Sequence, residues 1–213
     1  PIAGLVRDNP AVFGAEFAVS SSGNVVDRTP VRKGNGFVDV GFYPHPDLMR
    51  PSRRIRAYAD ATRDTPDGNE FFTAQPFGWH GTMTACAAAG NGYRSGGGFR
   101  GIASDAEVVL IKAGVGGRVL GEHVAHAIRF PLRFPDLKIR LLNVSLGVSL
   151  EDPHFHEVEL AVEEVTKAGV TVFAAAGNTP GKRVGGPASS PFAITVGGQH
   201  DRLSPDSVGD RDR

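Results

Sequence analysis

Along this chain, short apolar runs alternate with stretches in which apolar residues recur every three or four positions. Residues 107–113, 139–147, 170–176 and 192–196 are mainly apolar runs of strand length, the kind buried on both faces. Leu120, Val124, Ala127 and Ile128 mark a helix over 119–130, which Pro131 stops. Phe155, Val158, Ala161, Val162 and Val165 form one face of another helix. Asp152-Pro153 opens it, and Lys167 and Gly169 close it. Residues 78–90 are dense in small side chains and predict a third helix with His80 at its start. Residues 54–59 predict a further strand, 60–75 a polar loop and 91–100 a glycine-rich loop. Residues 1–35 read as a lead-in segment with a turn at Ser20-Ser21-Ser22-Gly23-Asn24. Before Asp39, only Phe37 and Val38 follow the turn-like Gly34-Asn35-Gly36. That is short for a buried strand of about 4–8 residues.

Strand, helix, strand with short joins implies parallel pairing through right-handed crossovers. The expected fold class is therefore α/β: three layers, a doubly wound, mostly parallel sheet with helices on both faces. In such sheets functional residues collect beyond the C-terminal strand ends. Asp39, Ser145, Leu146, Gly147 and Asn178 all fall there.

Composition narrows the function. Lys plus Arg is 23 and Asp plus Glu is 23 in 213 residues, which gives no net charge to favour nucleic acid or an anionic membrane. No apolar run approaches the ~20 residues of a membrane helix. The single cysteine, Cys86, excludes an internal disulfide framework and a cysteine zinc cluster. It reads as a small buried hydrophobe. The 28 glycines predict many tight turns and close backbone approaches.

The candidate chemistry begins at His80-Gly81-Thr82. Unpaired N–H groups and the helix dipole disfavour a second positive charge at a helix start. A histidine there is biased toward the neutral form that a general base needs. Alone, His80 would serve equally as a polar cap, and Asp39 as a turn aspartate.

Taken together, the motifs resemble those of the subtilisin-like serine proteases. Val38-Asp39-Val40-Gly41 with His45-Pro46-Asp47-Leu48 is similar to their aspartate motif, and His80-Gly81-Thr82 followed by Ala85 to their histidine motif. Asn143-Val144-Ser145-Leu146-Gly147 resembles their substrate-binding strand, and Ala174-Ala175-Ala176-Gly177-Asn178 their oxyanion asparagine motif. The likeness runs in order from about residue 36 to 198. It implies that His80 is the general base, that Asp39 orients it, and that Asn178 donates to the oxyanion. It implies that Ser145, Leu146 and Gly147 pair with an extended peptide, and that Ala175, Ala176 and Gly177 line the adjacent side-chain pocket. The partners implied are a polypeptide substrate and the enzyme's own pro-segment, with no nucleic acid and no membrane. Secretion is implied by the resemblance alone.

Several departures stand out. No Gly-Thr-Ser-x-Ala follows Asn178, so residues 36–213 read as a peptidase domain whose C-terminal part, with the nucleophilic serine, is missing. Met83 and Cys86 stand where relatives often carry histidine and glycine. Val148 replaces a glycine and predicts a narrower cleft. No cofactor is needed for the chemistry. Asp47 resembles a family calcium ligand, but residues 91–100 lack a dense oxygen-ligand pattern, and calcium is left unassigned. Two rival functions remain: a catalytically dead homologue that binds peptides, and a dinucleotide-binding domain built on the glycines of residues 113–121. A metal site from His123, His126, His154 and His156 is weaker than either.

Overall fold

The computed structural model of the chain describes residues 34–63, 71–72, 76–179, 181 and 183–198, and the backbone of 17–19, 25–27, 199–200 and 211–212. Strands β1 (Phe17–Val19) and β2 (Val25–Asp27) pair antiparallel. The turn expected at residues 20–24 lies outside the described residues, as does most of the loop expected at 60–75. The chain continues through β3 (Gly34–Asp39), α1 (Pro46–Met49), β4 (Ile55–Asp60) and α2 (Gly78–Ala89). Next come β5 (Val108–Lys112), the hairpin strands β6 (Gly114–Val115) and β7 (Arg118–Val119), α3 (Gly121–Ile128) and α4 (Phe130–Arg133). Then follow β8 (Ile139–Val144), α5 (Phe155–Lys167), β9 (Thr171–Ala175) and β10 (Ala193–Val196).

Six strands form one sheet in the order β10-β9-β8-β3-β5-β4, with every neighbouring pair parallel. On one face, Val38, Ile111, Leu142 and Val172 pack against Val124 and Ile128 of α3 and Val158 and Val162 of α5. On the other, Phe37, Val108 and Leu110 lie beneath Ala85 and Ala89 of α2, extended by Phe42, Leu48 and Phe71. This is the expected three-layer α/β arrangement. Among the described residues, the second face is covered over β3, β5 and β4. Beside α2, over β8 to β10, an open groove of about 530 Å³ is lined by Phe37, Ala88, Leu141, Asn143, Phe173 and Ile194.

The strand before Asp39 is not short. β3 runs for 6 residues, is the third strand from the β4 edge, and includes the stretch that reads as a turn. Its glycines are needed for space. A Cβ on Gly34 would stand 2.8 Å from the Leu137 carbonyl oxygen, and one on Gly36 would stand 2.7 Å from Leu142 Cδ1. The bulky side chains of β8 lie over this part of β3. Pro131 does not simply stop a helix: α3 ends at Ile128 and Pro131 sits in the first turn of α4, where a missing N–H costs nothing. Val148 does not narrow a cleft. It is buried in the core beside α5, and its N–H bonds to the Gly186 carbonyl at 2.8 Å.

Leu142 is fully buried, so it has little room to yield. Gly36→Ala should therefore lower stability by about 1–3 kcal/mol through overpacking. Gly197, where an added Cβ meets nothing within 4 Å, serves as the comparison. Urea unfolding should show a lower midpoint at unchanged slope for Gly36→Ala and little change for Gly197→Ala. Equal midpoints for the two variants would remove the packing explanation.

Candidate active site

Helix α2 reaches the end of β3 through an unusually close approach. A Cβ on Gly81 would fall 2.3 Å from the Gly41 carbonyl oxygen and 2.7 Å from Asp39 Cβ. Thr82 fixes the same junction: its hydroxyl accepts from the Tyr43 N–H at 2.9 Å and donates to the Gly78 carbonyl at 2.7 Å. The approach brings His80 Nδ1 to 2.8 Å and 3.0 Å from the two carboxylate oxygens of Asp39. Asp39 is fully buried. Its Oδ1 also accepts from the Val40 N–H at 2.7 Å, and Thr84 Oγ1 lies 3.3 Å from Oδ2. Burial pushes the Asp39 carboxyl above its ordinary range, and the bonds from His80, Val40 and Thr84 draw it back. A carboxylate at Nδ1 holds the ring proton there and leaves Nε2 as the acceptor, on a side chain 38% exposed. Such a histidine can take and return a proton. Among the described residues no serine hydroxyl bonds to it.

Thr84 carries no motif of its own in the sequence. It stands one helical turn after His80, hence on the same face of α2, and that spacing was the available signal.

The other candidate residues stand at the same sheet edge. Val38 is in register with Val144, and Val144 with Ala174. The next residues, Asp39, Ser145 and Ala175, therefore lie side by side. The Ser145 N–H donates to the Val38 carbonyl at 3.2 Å, and its hydroxyl accepts from Asn143 Nδ2 at 2.7 Å. Leu146 is buried, while Gly147 leads into the Val148–Gly186 bridge. Ala175 is exposed at the end of β9, Ala176 donates to the Val196 carbonyl at 2.9 Å, and Gly177 turns the chain at φ 95°. Asn178 follows, exposed. The ends of β3 and β9 stand two strand spacings apart, about 10 Å. His80, bonded to Asp39 at the end of β3, and Asn178, three residues past the end of β9, come from strand ends on either side of β8.

A second charged row lies beside the first. Asp39, Lys112 and Asp60 are in register across β3, β5 and β4. Lys112 Nζ donates to Asp60 Oδ2 at 2.9 Å, and both side chains are buried. Burial alone would raise the Asp60 carboxyl, but the bonds from Thr62 and Lys112 hold it below its ordinary range. Cys86 Sγ lies 3.5 Å from His45 Nδ1, and burial, helped by Asp47, pushes its thiol up to about 11.

The remaining candidates do not converge on this edge. Asp47 Oδ1 accepts from the Arg94 N–H at 2.8 Å, and its carbonyl takes the Asn91 N–H and the Arg54 guanidinium. His154 pairs with Glu157 at 3.1 Å, and His123 with Glu122 at 3.5 Å. Among the described residues no three His, Cys, Asp or Glu side chains gather around a common point that could hold a metal ion. Two glycines of the dinucleotide-like stretch form the β6–β7 turn: Gly116 and Gly117 have φ 56° and 79°, as a two-residue hairpin loop requires, while Gly114 lies in β6 and Gly121 opens α3.

The sequence profile of the subtilase family matches residues 36–207. Serine protease AprX of Bacillus subtilis (strain 168) is 32% identical over 222 residues, which cover 97% of this chain and 48% of AprX. The chain thus spans about half the length of that relative. Among solved structures, the chain superposes on Sphericase with TM-score 0.59 at 26% identity, over 80% of this chain and 56% of that one. It superposes on S41 psychrophilic protease with TM-score 0.60 at 26% identity, over 78% and 53%. The matched stretch begins two residues into β3 and contains Asp39, His80 and Asn178, and the chain belongs to the subtilase family.

Proposed function

We propose that residues 36–213 are the larger part of a serine endopeptidase domain whose nucleophilic serine is supplied by chain outside these residues. The observation that carries the reading is the 2.8 Å contact of His80 Nδ1 with the buried carboxylate of Asp39 at the C-terminal edge of a parallel sheet. Holding a carboxylate out of water opposes folding, and a surface cap has no use for it. The bare apolar groove beside α2 supports the second half of the reading. Leu141, Phe173 and Ile194 line a sheet face that parallel sheets normally cover.

In this mechanism the serine oxygen attacks the peptide carbonyl while His80 Nε2 takes its proton. Asp39 stabilises the imidazolium that forms, and the Asn178 side-chain amide donates to the tetrahedral oxyanion. His80 then returns the proton to the leaving amine. Water attacks the ester that remains and releases the acid by the same steps in reverse. The backbone of Ser145, Leu146 and Gly147 pairs with the substrate, and Ala175 to Gly177 flank the side chain before the cleaved bond. The same reading takes polypeptides as substrates and the pro-segment as a first partner, expects secretion from family resemblance alone, and leaves structural calcium unassigned.

A serine-directed phosphonate probe tests the reading. The whole protein should be labelled at one serine, and the 213-residue stretch, confirmed folded, at none. Labelling of the folded stretch would refute the external serine. Failure to label the whole protein would favour a peptide-binding homologue.

Asn178→Ala in the whole protein should lower kcat by about 10²–10³-fold and leave KM nearly unchanged, because the oxyanion exists only beyond the ground state. Steady-state kinetics on a short peptide decide this. An unchanged kcat removes Asn178 from the mechanism.

The buried carboxylate has a thermodynamic signature. A carboxyl whose folded pKa is raised contributes stability below its ordinary pKa of 3.8 and loses it as pH rises through the folded value. Asp39→Asn, which keeps the shape, should therefore unfold at higher denaturant than the unsubstituted protein at pH 7. That advantage should shrink as the pH falls toward 4. An advantage independent of pH would mean that burial of the charge is not its source.

A further inference from the structure

Helix α2 presents two distinct stripes outside its buried face. His80, Thr84 and Ala88 follow one another at single-turn spacing; Thr84 reaches Asp39 and Ala88 lines the groove over β8 and β9. One residue earlier in each turn, and so rotated by about 100°, stand Trp79, Met83 and Ala87. All three are exposed, whereas Gly78, Gly81, Thr82, Ala85 and Ala89 are buried. Trp79 is the only tryptophan in the chain and is 55% exposed; Met83 is 54% exposed. A single apolar side chain in water is ordinary, but a tryptophan and a methionine stacked on one stripe beside a candidate base are not.

The indole has a defined place. Its ring stands edge-on to the His80 imidazole, 5.5 Å between centroids at 75°. Tyr43, 37% exposed, has its N–H held by Thr82, the residue before Met83. Trp79 and Met83 thus form a short exposed shelf beside His80, on the stripe of α2 turned away from Ala88 and its groove.

Position relative to His80 identifies the occupant. Asp39 holds Nδ1, so Nε2 must meet the leaving amine. The part of the substrate before the cleaved bond lies along Ser145 to Gly147, on the β8 side of the imidazole. On this reading the part after the bond leaves on the other flank; Trp79 and Met83 lie on the exposed stripe of α2 turned away from Ala88 and the groove over β8 and β9. We propose that Trp79, supported by Met83, binds the side chain of the first residue after the cleaved bond and selects a large apolar or aromatic group there. This rests on the serine endopeptidase reading.

The test uses the leaving-group side alone. An acyl-enzyme formed from a small peptide ester partitions between water and an added amine. When the amine attacks, a C–N bond forms as the C–O bond to serine breaks. His80 accepts the amine proton and passes it to the serine oxygen. By microscopic reversibility the amine occupies the place of the leaving group. In the whole protein, aminolysis by phenylalaninamide should exceed that by glycinamide on the order of tenfold or more, the scale of burying an aromatic ring. Trp79→Ala should abolish most of that preference, Trp79→Phe should keep most of it, and Met83→Ala should give an intermediate value. The ratio does not depend on how fast the acyl-enzyme forms, so a general loss of activity leaves it readable. Equal aminolysis by the two amines in the unsubstituted protein would overturn the proposal, and so would a ratio unmoved by Trp79→Ala. If the unsubstituted protein forms no acyl-enzyme at all, the endopeptidase reading falls and takes the shelf with it, a result distinct from an active enzyme without preference.

Discussion

The distance between two backbones governs this structure. Gly81 lies so near Gly41 that no other residue fits between α2 and the end of β3. A helix displaced by the width of a methyl group would carry His80 beyond hydrogen-bond reach of Asp39. The surroundings enforce the approach. Thr82 bonds to backbone on both sides of the junction, and Ala85 and Ala89 bring the rest of α2 down onto Phe37 and Leu110 with short side chains. The small residues of α2 therefore have a positional reason: they set the height of the helix above the sheet, and that height sets the length of one hydrogen bond.

Two buried carboxylates in one row of the sheet are handled in opposite ways. Asp60 is given a full positive charge by Lys112 and a hydroxyl by Thr62, and its carboxyl falls below the ordinary range despite burial. Asp39 receives a ring N–H, a backbone N–H and a shared hydroxyl, and stays above it. The difference suits their surroundings. An ammonium in contact with Asp39 would satisfy the carboxylate and weaken its hold on an imidazolium. The register places Lys112 next to Asp39, yet its side chain is tied to the other neighbour.

Much of the fold was legible because it is written in local pattern. The periodic faces of α3 and α5 and the apolar runs of β5, β8 and β9 appear where the alternation of apolar residues places them. Asp39 and His80 could be paired in advance only through resemblance, since they lie 41 residues apart and nothing local links them. The misreadings share one cause. Gly34 and Gly36 look like a turn until Leu142, far along the chain, is laid across them. Val148 looks like a cleft wall until the Gly186 carbonyl claims its N–H. Gly116 and Gly117 look like a phosphate loop until their positive φ angles close a hairpin. In each case the deciding neighbour is remote in sequence, and a pattern read along the chain does not contain it.

Cys86 offers a consequence of a different kind. Its thiol sits against His45 at the back of α2, and burial has pushed its pKa up to about 11. Nucleophilic attack by cysteine needs the thiolate, which at neutral pH is scarce here, so the folded protein should be slow to react with alkylating or oxidising reagents. The protection depends on α2 resting in place. Any excursion that lifts the helix restores an ordinary, reactive thiol. The modification rate of this one sulfur is therefore a built-in clock for the opening of the helix that carries His80, with no label to be engineered.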